Sequence, residues 1–477
     1  MTAPVAVGRV LPTMNEDGSR RWIRPKLSPG KFWVRRRAVA YALMVIFFII
    51  PYLRMNGMPL VLLDLPLRRF TILGSTFFPT DTLLLMLLVL SILIGIFLMT
   101  ALAGRVWCGW ACPQTVYMEF VFRPIERLFE GGRSGSMRFD REHARGQLHP
   151  RRLAKYAVYL VLSLFLAHTF LAYFVGIDRL VMWVRRSPVE HPTSFLVMAF
   201  TTAAIMVDFT WFREQTCLVA CPYGRWQSVL LDRQSLIVAY DGNRGEPRSR
   251  DRERVEGAGD CIDCGACVLT CPTGIDIRDG LQMECIHCTQ CADACDAIMS
   301  RVGKPPGLIR YSSRAALEGE RVRRLRPRVV LYPAALSLAF GGFLVALILR
   351  TPADITVMRG LGAPFAVEAD GRVANQLRIK ITNRDPQSHE YAVSLEGVEP
   401  GAMIAPQNPI PVGPGRTAIM DVFVMLPAAE FHDGEHRVTV RIADGAGYTD
   451  AVTYRLVGPE HPDAAGPPHE SKKEPRS

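Results

Sequence analysis

Residues 261–296 read CIDCGACVLTCPTGIDIRDGLQMECIHCTQCADACD. Cys261, Cys264, Cys267 and Cys271 form C-x2-C-x2-C-x3-C, followed by Pro272. Cys285, Cys288, Cys291 and Cys295 repeat that spacing, with Asp296 in the proline's place. This is the bacterial ferredoxin pattern, in which the fourth cysteine of each run ligates the other cluster. Three cysteines three residues apart wrap one loop around a cube corner, and each iron takes one thiolate. The spacing thus assigns Cys261, Cys264, Cys267 and Cys295 to one [4Fe–4S] cluster and Cys271, Cys285, Cys288 and Cys291 to a second. A pair of zinc sites is the competing reading, because C-x2-C also suits zinc. Zinc takes four ligands per ion, however, and has no use for a third regular step.

Outward from this stretch the chain changes character twice. Of its 477 residues, the last 123 (355–477) hold 12 Lys+Arg against 16 Asp+Glu, so the first 354 carry +15 against a net charge of +11 for the whole. Basic excess beside apolar runs is the mark of positive-inside membrane loops, and a nucleic-acid partner is not expected. All twelve cysteines lie between Cys108 and Cys295. With none in the C-terminal part, no disulfide framework is implied, and thiol ligands suit a reducing compartment.

Five apolar runs have the length or flanks of membrane spans. Lys31, Arg35, Arg36 and Arg37 precede Ala38–Leu53, which lacks a small-residue cleavage site and reads as an uncleaved first span. The others are Thr82–Leu102, Tyr156–Val175, Ser194–Phe212 and Val329–Leu349. The arginine-rich loop 104–155 and the block Arg321–Arg328 fall on the N-terminal side of the membrane. The expected topology puts the N-terminus and the cysteine-rich insert in the cytoplasm and the C-terminus outside. Every cysteine then lands on the reducing side. Beyond Asp354, alternating runs such as Leu377–Ile381 and Val438–Ile442, separated by turn signals, predict a sandwich of roughly seven strands.

Two further motifs repeat one another. Trp107-Cys108-Gly109-Trp110-Ala111-Cys112-Pro113 follows the second span, and Cys217-Leu218-Val219-Ala220-Cys221-Pro222 follows the fourth. Proline favours the first position of a helix, which puts Cys112 and Cys221 at helix N-termini, where the dipole lowers a thiol pKa. Such thiolates are soft ligands suited to Cu(I), or can form a redox dithiol; two cysteine pairs that merely pack are the alternative. Convergence of Cys108, Cys112, Cys217 and Cys221 on one site is the expectation. Trp107, Trp110, Trp211 and Trp226 read as an interfacial aromatic belt. His168, inside the third span, is a candidate for quinol, haem or copper. Asp208 reads as an interfacial carboxylate, His191 as solvated, and Met55 and Met58 as weak candidates for receiving copper outside.

The runs GRVWCGWACPQTVYMEFVFRPIER (104–127), CLVACPYGRWQ (217–227) and LQMECIHCTQCADACDAIM (281–299) together resemble the CcoG/FixG/RdxA family. Its members are membrane ferredoxin-like accessory proteins for cytochrome oxidase of the cbb type. The resemblance spans about residues 30–460. It implies a polytopic α-helical membrane protein with an inserted two-[4Fe–4S] ferredoxin-like domain and a C-terminal immunoglobulin-like β-sandwich. It also implies reduction of Cu(II) to Cu(I) for the copper centre of the oxidase, at the bacterial inner membrane. The eight cluster cysteines would be the electron relay, and the four C-x3-C-P cysteines the copper or redox site. Implied partners are the lipid bilayer, copper-assembly factors of the oxidase, and an electron donor that is either quinol or a soluble reductant. C-x3-C-P alone also looks like quinol-linked electron-transfer subunits, so a quinol dehydrogenase and a non-enzymatic copper-holding scaffold stand as alternatives. No Gly-rich nucleotide fingerprint follows a strand, so no NAD(P)H or flavin site is expected on this chain.

The expected segments are a disordered N-terminus (1–30), a four-span membrane domain (31–240), a linker with the ferredoxin domain (241–328) and a fifth helix (329–350). The sandwich (355–458) and a disordered tail (459–477) follow.

Overall fold

The computed structural model describes residues 12–460, except 16, 18, 56, 80, 146–148, 250–256, 322–324 and 386. Residues 1–11 and 461–477, expected to be disordered, lie outside the described residues. The chain divides into two units. One carries the long helices and the cysteine-rich insert. The other joins residues 54–61 and 65–81 to the chain from Ala346 onward.

In the first unit the long helices are α1 (Lys31–Ile49), α2 (Thr82–Ala103), α3 (Pro150–Val175), α4 (Pro192–Val207, running on as a π-turn through Phe212) and, after the insert, α6 (Pro327–Ile348). Proline opens α3, α4 and α6, where its missing N–H costs nothing. Gly176, at φ +80°, ends α3. Four of these helices, all but α1, are long and apolar enough to cross a membrane. Buried residues make up 44% of the apolar window of α3 and 11% of each of the others, so α3 is the central post and the rest present wide apolar faces.

α1 differs from the simple expectation of a fifth apolar run. Its first two turns hold Lys31, Arg35, Arg36 and Arg37. Yet it runs alongside α3: Tyr173, near the end of α3, donates its hydroxyl to the Phe47 carbonyl at 2.7 Å, and the Phe47 and Tyr173 rings stack at 5.4 Å. α1 therefore packs beside α3, and Arg36, in its second turn, is fully buried.

The insert is closed by strands β1 (Ile237–Tyr240) and β2 (Ile309–Ser312), which pair antiparallel and bring its ends together. Between them lie a short helix, Ala266–Thr270, and α5 (Gln290–Arg301). Val238, Ile275, Ile277, Ala292, Met299 and Leu308 form a core around the cysteines. The stretch from Asp241, read from sequence as a linker, is in part tied down: Arg244 pairs with Asp260 at 2.6 Å and donates to the Pro306 carbonyl.

Residues 19–30 also depart from the expectation of disorder. Arg24 pairs with Asp140 at 2.8 Å and with Glu126, and the Lys26 amide donates to the Leu269 carbonyl at 2.9 Å. Thr270 Oγ1 donates to the Lys26 carbonyl. Polar composition suggested solvent here; buried carboxylates on other elements supplied partners that local sequence does not reveal.

In the second unit two sheets face each other. The strands are β3 (Ala353–Arg359), β4 (Arg372–Asn383), β5 (His389–Glu396), β6 (Ile410–Val412), β7 (Thr417–Pro427), β8 (Glu435–Ala443) and β9 (Thr449–Val457). One sheet runs β7-β4-β3, with two-residue strands at Ala366–Val367 and Met403–Ile404; the other runs β6-β5-β8-β9. Alternate residues of β4, among them Val373, Leu377, Ile379 and Ile381, are buried against Val424, Val440 and Ile442, the period of two that marks an inward face. Asn375 joins the sheets, accepting from the Val457 amide and donating to its carbonyl, both at 3.0 Å. The loop after α1 packs here: Asp81 pairs with Arg350 at 2.5 Å and Arg384 at 2.8 Å, and Arg69 donates to the Gly415 carbonyl. Its residues 65–81 therefore belong with the sandwich rather than with the membrane domain expected over 31–240. Met55 and Met58 face each other in a hairpin of this unit.

Candidate electron-transfer site

The two cysteine loops of the insert fold alike because the same positions take the left-handed conformation. In the first, Asp263 (φ +46°) and Gly265 (φ +66°) flank Cys264; in the second, His287 (φ +54°) and Thr289 (φ +59°) flank Cys288. The three cysteines of each curl line a common cavity, and each loop runs straight into a helix, at Ala266 or Gln290. The third cysteine of each run therefore sits in a first helical turn, where the dipole favours negative charge.

The fourth cysteines cross over. One cavity is lined by Cys261, Cys264, Cys267 and Cys295. A second is lined by Cys271, Cys285, Cys288 and Cys291, with Cys267 at its edge. Among the described residues no three His, Cys, Asp or Glu side chains converge as a single ion demands. The same holds for the four C-x3-C-P cysteines. Four cysteines around each cavity match a cube of irons, each taking one thiolate. All twelve cysteines are free thiols. Burial pushes Cys285 and Cys295 up to about 12, so these sulfurs are neutral thiols until a metal replaces the proton.

The two C-x3-C-P motifs also meet. Cys108, Cys112, Cys217 and Cys221 each lie within electrostatic reach of the other three. As expected, Cys112 caps the helix at Pro113–Tyr117 and Cys221 the helix at Pro222–Leu230. The expectation of a lowered thiol pKa fails for Cys112. Burial raises it, outweighing the backbone N–H groups of Gln114 and Thr115 that pull it down. Burial likewise raises Cys108 to about 11 and Cys217 to about 12. Gln227 accepts from the Cys108 thiol at 3.0 Å and donates to Thr100 and Tyr223.

This four-thiol group lies directly against the second cysteine loop. Cys108 is buried together with Ile286 and Cys288. A Cβ on Gly109 would stand 2.6 Å from the Ile286 carbonyl oxygen and 2.8 Å from Cys288 Cα, so only glycine permits this approach. Arg36 Nε donates to the Gly109 carbonyl at 2.8 Å, and the Arg105 amide donates to His287 Nδ1 at 3.1 Å. Trp110, expected in the aromatic belt, instead donates to the Tyr311 hydroxyl, which donates to the His287 carbonyl, both at 2.9 Å. Trp211 and Trp226 are exposed, as a belt requires. Arg36, Arg105, Gln227 and His287 were not singled out from sequence. Arg36 sits in a run of basic residues and its partner lies 73 positions away.

Asp208, expected at an interface, accepts from Gln114 Nε2 at 3.1 Å and from the Thr216 hydroxyl, so it links one motif to the other. A buried ion network stands behind it. Arg213 (φ +54°) grips Glu126 with two bonds of 3.1 and 3.0 Å. Burial opposes ionisation of Glu126, yet Arg213 and Arg24 hold its carboxyl well below the usual range. His168 and His191 line one cavity with Trp183 and Met198. His168 Nδ1 lies 2.7 Å from the Leu164 carbonyl, and His191 stacks on Trp183 at 4.2 Å.

Comparison with known proteins bears on these elements. A family described as "4Fe-4S dicluster domain" matches residues 212–314, one described as "4Fe-4S binding domain" matches 85–131, and "IG-like fold at C-terminal of FixG" matches 343–459. The chain is 32% identical over 465 residues to "Nitrogen fixation protein FixG" of Rhizobium meliloti, covering 87% of this chain and 88% of that one. It is 34% identical over 423 residues to "Protein RdxA" of Cereibacter sphaeroides (85% and 89% covered), and 33% identical over 445 residues to "Protein RdxB" of the same organism (88% and 93% covered).

Proposed function

The chain belongs to the FixG/RdxA family, a membrane protein built for iron–sulfur electron transfer, and on that premise we propose that it reduces Cu(II) to Cu(I) for the copper centre of a cbb-type oxidase. Cys261, Cys264, Cys267 and Cys295 hold one [4Fe–4S] cluster, and Cys271, Cys285, Cys288 and Cys291 hold the other. When bound, these groups supply one-electron transfer at low potential. Cys108, Cys112, Cys217 and Cys221 take copper as substrate. Soft thiolates favour the cuprous product over the cupric ion, and the product passes to copper-assembly factors.

The observation that carries this reading is the seating of Gly109 on the backbone at Cys288. Of the thiols that receive copper, Cys108, with Cys217 packed against it, shares a buried cluster with Cys288, a ligand of the nearer iron–sulfur group. Sidedness follows the charge asymmetry: the clusters and both C-x3-C-P motifs face the cytoplasm of the bacterial inner membrane, and the sandwich lies outside. Packing of residues 65–81 with the sandwich supports this, since both are expected on the outer side.

Anoxic mixing of dithionite-reduced protein with Cu(II) or with a quinone tests the assignment. Rapid cluster oxidation by Cu(II), with Cu(I) retained on the protein, is the expected result. Reversible exchange with quinone and quinol but not with copper would transfer the assignment to a quinol dehydrogenase, and inertness to both would leave a scaffold.

A further inference from the structure

The surroundings of the two cysteine sets differ in charge. Against the set 271/285/288/291, Arg36 bonds the Gly109 carbonyl over Cys288, Arg105 donates to the Met283 carbonyl near Cys285, and one carboxylate, Glu119, lines a cavity with Arg36 and Ile286. Around the set 261/264/267/295, Arg278 acts on Cys267, but it is paired with Asp276 at 2.6 Å and with Asp263. Asp276 also acts on Cys267, and Asp296 on Cys295. The second set thus faces two arginines and one carboxylate, whereas the cations near the first are each paired with carboxylates, Lys31 with Asp296 at 3.4 Å among them. Solvent reaches the first set at Cys264, which is exposed while Cys261, Cys267 and Cys295 are buried; in the second set Cys285 and Cys288 are buried and Cys271 and Cys291 partly so.

Arg36 stands out among these groups. It is fully buried, its Nε is spent on the Gly109 carbonyl, and both terminal guanidinium nitrogens lack a partner. A buried cation with two free donor groups is costly. It is stabilised when an anion lies beside it, and a thiolate-ligated cluster is such an anion. Glu119, which Arg36 faces, is shared with Arg123 at 2.7 Å, and the Phe120 ring lies 5.5 Å from the Arg36 guanidinium; neither gives the terminal nitrogens a hydrogen bond.

We propose that Arg36 is a positioning residue that raises the reduction potential of the second cluster above that of the first, so that electrons run one way, from the first cluster, which meets solvent at Cys264, to the second and on toward the four thiols. Gaining an electron adds one negative charge to the second cluster, and a fixed guanidinium beside Cys288 favours that state. Each transfer oxidises the first cluster by one electron and reduces the second by one. The electron is replaced from a one-electron reductant at the exposed face.

This rests on the ligand assignment proposed above, and its test is separable from that assignment. EPR-monitored redox titration of the full-length protein, reduced with dithionite, reads the two midpoints; the first cluster is the signal lost in Cys264→Ser. Arg36→Gln lowers the second midpoint by about 59 mV, a tenfold change in its reduced-to-oxidised ratio for a one-electron couple. Glu119→Gln raises the same midpoint, and Arg35→Gln, an exposed neighbour on α1, moves neither. Shifts of opposite sign are what structural damage does not produce. No movement of the second midpoint, movement of both clusters alike, or the same sign in Arg36→Gln and Glu119→Gln overturns the proposal. Should Arg36→Gln fail to load iron, the sign in Glu119→Gln decides. Absence of iron in the wild-type chain would overturn the cluster assignment instead.

Discussion

At the scale of single residues, the cysteines that matter most were legible because iron–sulfur ligation imposes a spacing that nothing else requires. The cross-over of Cys271 and Cys295 makes a sharp prediction. Cys261→Ala and Cys295→Ala each lose about four of about eight irons, and the double variant loses no more than either. Ligation by consecutive cysteines would instead empty both sites in the double variant, as iron quantification after anoxic purification would show. The side chains that serve those cysteines were not legible. Gln227 on Cys108 and Arg36 on Gly109 act across long sequence separations, and no local pattern distinguishes them from an ordinary polar or basic residue. The dipole argument for Cys112 misled for a related reason: the N-cap position was readable, the depth of burial that outweighs it was not.

At the scale of elements, helices and strands followed their periods. α2 is apolar throughout, and β4 alternates along most of its length. The departures came where charge is buried rather than solvated. Arg36 of α1 is buried against protein, and residues 19–30 are tied down where Arg24 meets Glu126 and Asp140. Glu126 is the keystone, meeting Arg24 from the N-terminal segment and Arg213 from the turn after α4. Glu126→Gln takes the bidentate partner from buried Arg213, while Arg24 keeps Asp140, and is expected to cost about 3–5 kcal/mol, read as a lower melting temperature in detergent. An unchanged melting temperature would show that the network carries no stability. Because the folded pKa of Glu126 is depressed, its contribution is present above the unfolded carboxylate pKa and is lost as pH falls toward the folded value.

At the scale of the whole molecule, membrane, cluster and sandwich segments were readable in order, because each has its own composition. What sequence left open was which of them touch. The loop 65–81 joins the sandwich, and the two C-x3-C-P motifs join each other and the second cysteine loop. With those contacts the sidedness becomes testable. Leu67→Cys and Leu361→Cys, both at exposed positions, should react with an impermeant maleimide added to spheroplasts, and protection of either would reverse the topology. The central claim is that electrons held by the eight ferredoxin cysteines leave through the four C-x3-C-P thiols. Its most direct test is single-turnover oxidation of reduced protein by Cu(II), comparing wild type with Cys108→Ser and Cys217→Ser at matched iron content. The expected result is about eight irons per chain in all three, with the fast oxidation and the retained Cu(I) lost in both variants. Equal oxidation rates and equal copper retention in all three proteins would contradict it.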